Sequence, residues 1–238
     1  ALLYTEKFEG AGGLPYGVEG SAIVLFSGGL DSPVAAWLLA RRGIEVKCLF
    51  LNPLGPVLES KVARVFEKLR KWIPEAELYT ADISELIKEI GEKVREGYRQ
   101  VVLKRFMYRI AELVARKFGA HAIATGESIG QTSSQTLHNL ELIERVVEIP
   151  VLRPLAAYDK DQIVEIARRI GTYEESSKIA EFCALESHSN ASADEEIVVE
   201  EEKKVKSMSE FIRNVLVLYL EFGGNCLLYT SPSPRDRG

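Results

Sequence analysis

No apolar run in this sequence approaches the length needed to cross a bilayer, and residues 1–7 lack the basic-then-apolar order of a secretory signal. Neither membrane insertion nor export is expected, and a cytoplasmic protein is. Cysteine is scarce. Cys48, Cys183 and Cys226 stand alone, with no C-x-x-C pair and no histidine at ligand spacing, which excludes a zinc framework and a disulfide scaffold. The three histidines, His121, His138 and His188, form no triad or ligand group and are read as structural. The lysine-bearing loop G-x-x-x-x-G-K-[ST] is missing, and so is G-x-G-x-x-G, which sets aside the usual kinase, GTPase and dinucleotide readings.

What is present is enough for one α/β domain: 238 residues, 46% of them hydrophobic. The net charge of −5 argues against a free-standing nucleic-acid binder, yet the acid is unevenly spread. Residues 186–202 hold seven Asp/Glu and no Lys/Arg, so the rest of the chain carries +2. Such a run is expected to be solvated coil or an exposed helix face, without function.

Five β-rich apolar runs alternate with helical patterns. Strands are expected at 22–26, 45–51, 77–81, 122–125 and 147–152, and helices at 33–42, 59–72, 84–92, 100–118 and 160–170. The helix at 100–118 has the clearest period, with Val102, Phe106, Ile110, Val114 and Phe118 on one stripe. Strands separated by helices imply an α/β fold: a mostly parallel five-stranded sheet with helices on both faces, Rossmann-like, binding its ligand beyond the strands' carboxyl ends.

The chemistry is concentrated in Ser27-Gly28-Gly29-Leu30-Asp31-Ser32, between the first strand and the first helix. Two glycines allow a tight turn, and a helix N-terminus offers unpaired N–H donors and a favourable dipole to an anion. Ser27 and Ser32 add hydroxyls. Asp31 is repulsive to phosphate unless a cation lies between, so Mg2+ is expected beside it. The bland reading is a helix N-cap followed by Pro33.

This hexapeptide resembles the loop of the PP-loop ATP pyrophosphatases, which cleave ATP between its α and β phosphates. Three further segments resemble the tRNA 4-thiouridine synthetase family, also called ThiI: Gly10-Ala11-Gly12-Gly13-Leu14-Pro15, then Thr125-Gly126-Glu127-Ser128-Ile129-Gly130-Gln131-Thr132-Ser133-Ser134-Gln135-Thr136-Leu137, then Pro150-Val151-Leu152-Arg153-Pro154-Leu155 with Asp159-Lys160 and Ile170-Gly171-Thr172-Tyr173. The likeness spans about residues 4–183. Ala11 departs from the family's proline.

The resemblance implies an ATP-dependent tRNA sulfurtransferase that adenylates a tRNA uridine so that sulfur replaces its oxygen, with a possible part in thiamine synthesis. It places Leu25, Phe26, Ser27, Gly28, Gly29, Asp31, Ser32, Phe50, Leu51, Lys104, Gly126 and Gln135 around ATP, and makes Asp31 and Cys183 catalytic, Cys183 as sulfur carrier. Arg105 and Arg109, close to Lys104 on one helix, are candidates for tRNA or phosphate contact. The implied partners are tRNA, a cysteine desulfurase and a second copy of the chain. Residues 1–20 are then a linker from an upstream RNA-binding region, 21–185 the ATP pyrophosphatase domain, and 186–225 the acidic segment with a C-terminal helix. Residues 226–238 resemble a translated sequencing adapter and are expected to be non-native. Alternatives are another PP-loop enzyme acting on a small molecule, of deazaguanine or NAD synthetase type, and a nucleotide-binding module without chemistry.

Overall fold

The computed structural model describes residues 5–6, 12–179, 190–205, 217–219 and 227–228. Its first strand, β1 (Ser21–Leu25), buries Ala22, Ile23 and Val24 completely, as a strand covered on both faces must. Helix α1 (Asp31–Arg41) leads to β2 (Glu45–Asn52), α2 (Pro56–Arg70) to β3 (Glu77–Asp82), and α3 (Ser84–Lys93) to the long α4 (Arg99–Phe118). Gly119 ends α4 in the left-handed conformation, which glycine adopts without strain. Then follow β4 (Ala122–Ala124), α5 (Leu137–Glu144), β5 (Val151–Leu152), α6 (Lys160–Arg169) and the single turn α7 (Tyr173–Ser176). Helix α6 starts at a reciprocal cap, Asp159 accepting from the Gln162 amide while the Gln162 side chain accepts from the Asp159 N–H. Helix α8 (Glu195–Lys203) and strands β6 (Val217–Tyr219) and β7 (Leu227–Leu228) complete the described elements.

The strand order is β5-β4-β1-β2-β3-β6-β7. The first five are parallel, as expected; β6 adds antiparallel to β3, and β7 to β6. Alternate residues feed two cores. Ile23 and Leu49 pack with α3, α4 and α5, whereas Val24, Cys48 and Phe50 pack with α1, α2 and α6. Cys48 is fully buried and its thiol is pushed up by that burial, so it is a small apolar core residue.

Three expectations change. The fifth strand begins at Val151, not 147. Val147 closes a turn back to Glu144, and Pro150, which has no N–H to give, contributes only its carbonyl to Ile123. Helix α5 and strands β6 and β7 were not anticipated. The acidic run is no solvated coil at its end: in α8, Glu201 is fully buried and Glu202 nearly so, because arginines from α4 and the turn before it meet them. Helix α8 and strand β6 both lie in the 186–225 stretch, where an acidic segment with a C-terminal helix is expected, and β7 lies in the 226–238 stretch.

Candidate active site

Strand β1 has β2 on one side and β4 on the other, so the chain's winding reverses at β1. The loops after β1 and β4 therefore part to opposite faces, and the crevice between them is where ligands of such sheets bind. A cavity of about 370 Å³ opens there. Leu25, Phe26, Phe50, Leu51 and Leu58 give it an apolar wall, and Ser27, Gly29, Asp31, Ser32, Lys104, Gly126, Glu127, Gln131 and Gln135 a polar one.

Of the twelve residues placed around ATP from sequence, all but Gly28 line this cavity. Gly28 supports it from behind. Its φ is +77°, and a Cβ there would lie 2.7 Å from the Ile179 side chain and 3.1 Å from that of Val62.

The Ser27–Ser32 loop is braced by Ser32, 4% exposed, whose hydroxyl accepts the Ser27 and Gly28 N–H groups, each at 3.1 Å. Ser32 thus shapes the loop from within rather than offering a free hydroxyl. Ser27 accepts the Gly29 N–H at 3.3 Å. Helix α1 begins immediately after, with Leu30 at its cap position and no side-chain cap. The N-cap reading is thereby removed: the loop does not close the helix end, and the end faces the cavity. Asp31 sits in that first turn.

Across the crevice, Thr125-Gly126-Glu127 follows β4. Glu127 is a buried carboxylate with four donors: Lys104 Nζ on Oε1 at 2.8 Å, and on Oε2 Thr125 Oγ1 at 3.0 Å, Arg153 Nε at 3.2 Å and the Tyr108 hydroxyl. Burial opposes its charge, but the Lys104 ammonium beside it, the Lys104 and Tyr108 hydrogen bonds and Arg153 hold its carboxyl down at about 2. Burial and the Glu127 charge push the Tyr108 hydroxyl up. Arg153 is steadied in turn by Glu144 at 2.6 Å.

Sequence reasoning assigned no role to Glu127, Tyr108 or Arg153. The available signal was the i, i+4 spacing of Lys104 and Tyr108, which puts both on one face of α4 towards a strand-end carboxylate. Gln135 Oε1 is buried against the cavity and has no hydrogen-bond partner among the described residues.

Arg105 and Arg109 are placed differently from expectation. Arg105 is 5% exposed, forks onto Glu202 through two bonds of 3.1 Å and donates to the Leu142 carbonyl; Arg109 also pairs with Glu202. Neither lines the cavity, and both are paired with the α8 carboxylate. His138 holds the Ala193 carbonyl at 2.8 Å, a structural contact. Among the described residues no cluster of three or more His, Cys, Asp or Glu could hold a metal, and no helix is long and apolar enough to cross a membrane. Cys183, Cys226 and His188 lie outside the described residues, as do Gly10 and Ala11.

Residues 17–207 match the family described as Thiamine biosynthesis protein (ThiI). The chain belongs to the ThiI family. This ThiI-family chain is 43% identical over 207 residues to a protein named "Probable tRNA sulfurtransferase" from Sulfurisphaera tokodaii, covering 86% of the chain and 56% of that protein. It is 45% identical over 187 residues to a tRNA sulfurtransferase from Pyrobaculum aerophilum, covering 78% of the chain and 39% of that protein. The crystal structure of a 4-thiouridine synthetase–RNA complex with bound ATP superposes with a TM-score of 0.80 at 35% identity, over 88% of this chain and 57% of that one. The chain thus spans about half the length of such relatives, or less. An NMN synthetase from Francisella tularensis, 18% identical with a TM-score of 0.50, shares the fold alone.

Proposed function

We propose that the chain is the ATP-activating part of a tRNA sulfurtransferase: it binds ATP in the crevice and adenylates a tRNA uridine, releasing pyrophosphate, so that sulfur can replace the oxygen and give 4-thiouridine. The observation that carries this is the uncapped N-terminus of α1, which faces one cavity together with the Ser27–Ser32 loop and Lys104. Backbone N–H groups at a helix N-terminus and an ammonium suit phosphates, and the apolar wall of Leu25, Phe26, Phe50 and Leu51 suits a purine. Gln135 Oε1, buried without a partner among the described residues, fits the amino group of an adenine. The likeness to a 4-thiouridine synthetase with bound ATP and RNA supports the same reading.

Magnesium fits as the counter-ion. Asp31 is the carboxylate nearest the phosphate loop in the sequence and lines the cavity, and a magnesium ion held mainly by phosphates needs only one or two carboxylates. When bound, it would offset phosphate charge beside Asp31. The helix N-terminus and Lys104 would hold the phosphates in line for the uridine oxygen, and the apolar wall would keep water from them.

For sulfur delivery we carry over Cys183 as the persulfide carrier, loaded by a cysteine desulfurase; its outer sulfur would displace AMP from the activated uridine carbon, and a second thiol would then cleave the sulfur–sulfur link, ending in a disulfide with Cys183. The reaction would take place in the cytoplasm, in a homodimer whose upstream regions bring the tRNA, and the same sulfur could serve thiamine synthesis. The test supplies ATP, magnesium, cysteine, a desulfurase and unmodified tRNA to the longer natural chain. The expected result is tRNA-dependent pyrophosphate release with 4-thiouridine in the digested tRNA. Asp31→Asn should stop both, and Cys183→Ser only the second. Pyrophosphate release that ignores tRNA and follows a small carbonyl compound would overturn the proposal.

A further inference from the structure

We infer that Glu127 is a positioning residue of the nucleotide site, which holds the Lys104 ammonium at the cavity wall where a phosphate of ATP would receive it. The inference rests on the ATP reading above and deepens it.

A carboxylate in the wall of a cavity for a polyanion is out of place on charge alone, because it repels the ligand. Its hydrogen bonds explain its presence. Oε2 is occupied by Tyr108, Thr125 and Arg153, so the carboxylate cannot turn without leaving three donors unpaired. Oε1 is left, and Lys104 Nζ meets it at 2.8 Å. Among the described residues Glu127 is the one hydrogen-bond and ion-pair partner of Lys104. An ammonium has three donors, so two stay available on the cavity side.

A lysine stem is long and flexible, and a free one would lose that freedom on meeting phosphate. Glu127 imposes the order beforehand, as a preorganised site should. The arrangement is anchored twice over. Tyr108 stands one turn after Lys104 on α4 and Arg153 follows β5, so the carboxylate ties the helix to two strand ends of the crevice. Arg153 is fixed by Glu144 at 2.6 Å and donates to the Tyr108 hydroxyl at 3.3 Å. Lys104, Arg153, Glu127 and Glu144 sum to no net charge, so the cluster presents a directed ammonium without a surplus carboxylate that would pull Lys104 elsewhere.

The test is a double-mutant cycle read by calorimetric titration of ATP with magnesium into the whole chain. Glu127→Gln should weaken ATP about ten-fold and Lys104→Met at least as much, while the double variant should bind no worse than Lys104→Met alone. That non-additivity is what action through Lys104 requires, and a merely structural role would not produce it. Additive losses, or an unchanged affinity in Glu127→Gln, overturn the inference. Should Glu127→Gln fail to fold by near-ultraviolet circular dichroism, Tyr108→Phe takes its place. Removing that donor should cost about three-fold in ATP affinity, and nothing once Lys104 is Met. An unchanged or additive Tyr108→Phe overturns the inference equally. A wild-type chain that binds no ATP defeats the ATP reading itself, whereas ATP binding with additive variants defeats this inference alone.

Discussion

Gly126 stands against Asp31 so closely that a Cβ added to it would lie 3.0 Å from both the carbonyl carbon and the Cβ of Asp31, and 3.1 Å from the Ser32 nitrogen. This contact joins the two loops of the crevice, and most of its atoms are backbone, which cannot swing aside. Gly126→Ala should therefore force the loops apart. We expect about ten-fold weaker ATP binding by titration calorimetry and a loss of about 1–2 kcal/mol in urea unfolding. Unchanged ATP affinity would show that the spacing of the two loops is unimportant.

Ser32 organises its loop as an acceptor. Ser32→Ala leaves the Ser27 and Gly28 N–H groups without their common partner, the Gly28 N–H buried and the Ser27 N–H partly so. A loss of about 1–3 kcal/mol in stability is expected, with weaker ATP binding, while Ser27→Ala, which frees the more exposed Gly29 N–H and loses a long 3.4 Å contact with the Ser32 hydroxyl, should cost less. Denaturant melts of the two variants side by side check the order.

The Glu127 carboxyl makes a definite pH prediction. Its folded value, about 2, lies below the usual 4.5, so its contribution to stability is full above about pH 4.5 and is lost as pH falls towards 2. Urea melts from pH 6 down to about 2.5 should show the stability gap between wild type and Glu127→Gln narrowing through that window. A gap that stays constant with pH would mean that the carboxylate is not held ionised.

Glu202 tests whether α8 belongs to the domain. Its removal leaves Arg105, 5% exposed, charged and without its forked partner. Glu202→Ala should cost about 3 kcal/mol, and Arg105→Met with Glu202→Leu should recover much of it, since an apolar pair replaces a buried ionic one at little loss. If Glu202→Ala melts like wild type, the helix is only loosely attached.

The parallel sheet was legible because its signals are local. Ala22–Val24 forms an apolar run, Gly43 and Gly119 stop helices, and the Val102–Phe118 stripe repeats every four residues. The cavity's lining was legible through family resemblance, which carried Lys104 and Gln135 to positions no periodicity marks. What escaped depends on partners distant in sequence. Glu202 reads as solvent-facing in its acidic run, and only the fold brings Arg105 and Arg109 to it. The same pairing occupies the two arginines that the sequence offers as candidates for tRNA or phosphate contact. Glu127 was in plain sight within Thr125-Gly126-Glu127-Ser128, but its meaning needs Tyr108 and Arg153, which come from two other elements.

The adjacency of β1 and β4 carries a consequence for how the site comes into being. Between β1 and β4 the chain runs through two strands, β2 and β3, and four helices, α1 to α4, so the phosphate loop is an open half-site until β4 docks. Such long-range pairing is slow, because the chain must lose the freedom of that whole stretch before the contact rewards it. Nucleotide would then be bound only once β4 has docked, and ATP at cellular concentration would act as a fastener on that pairing.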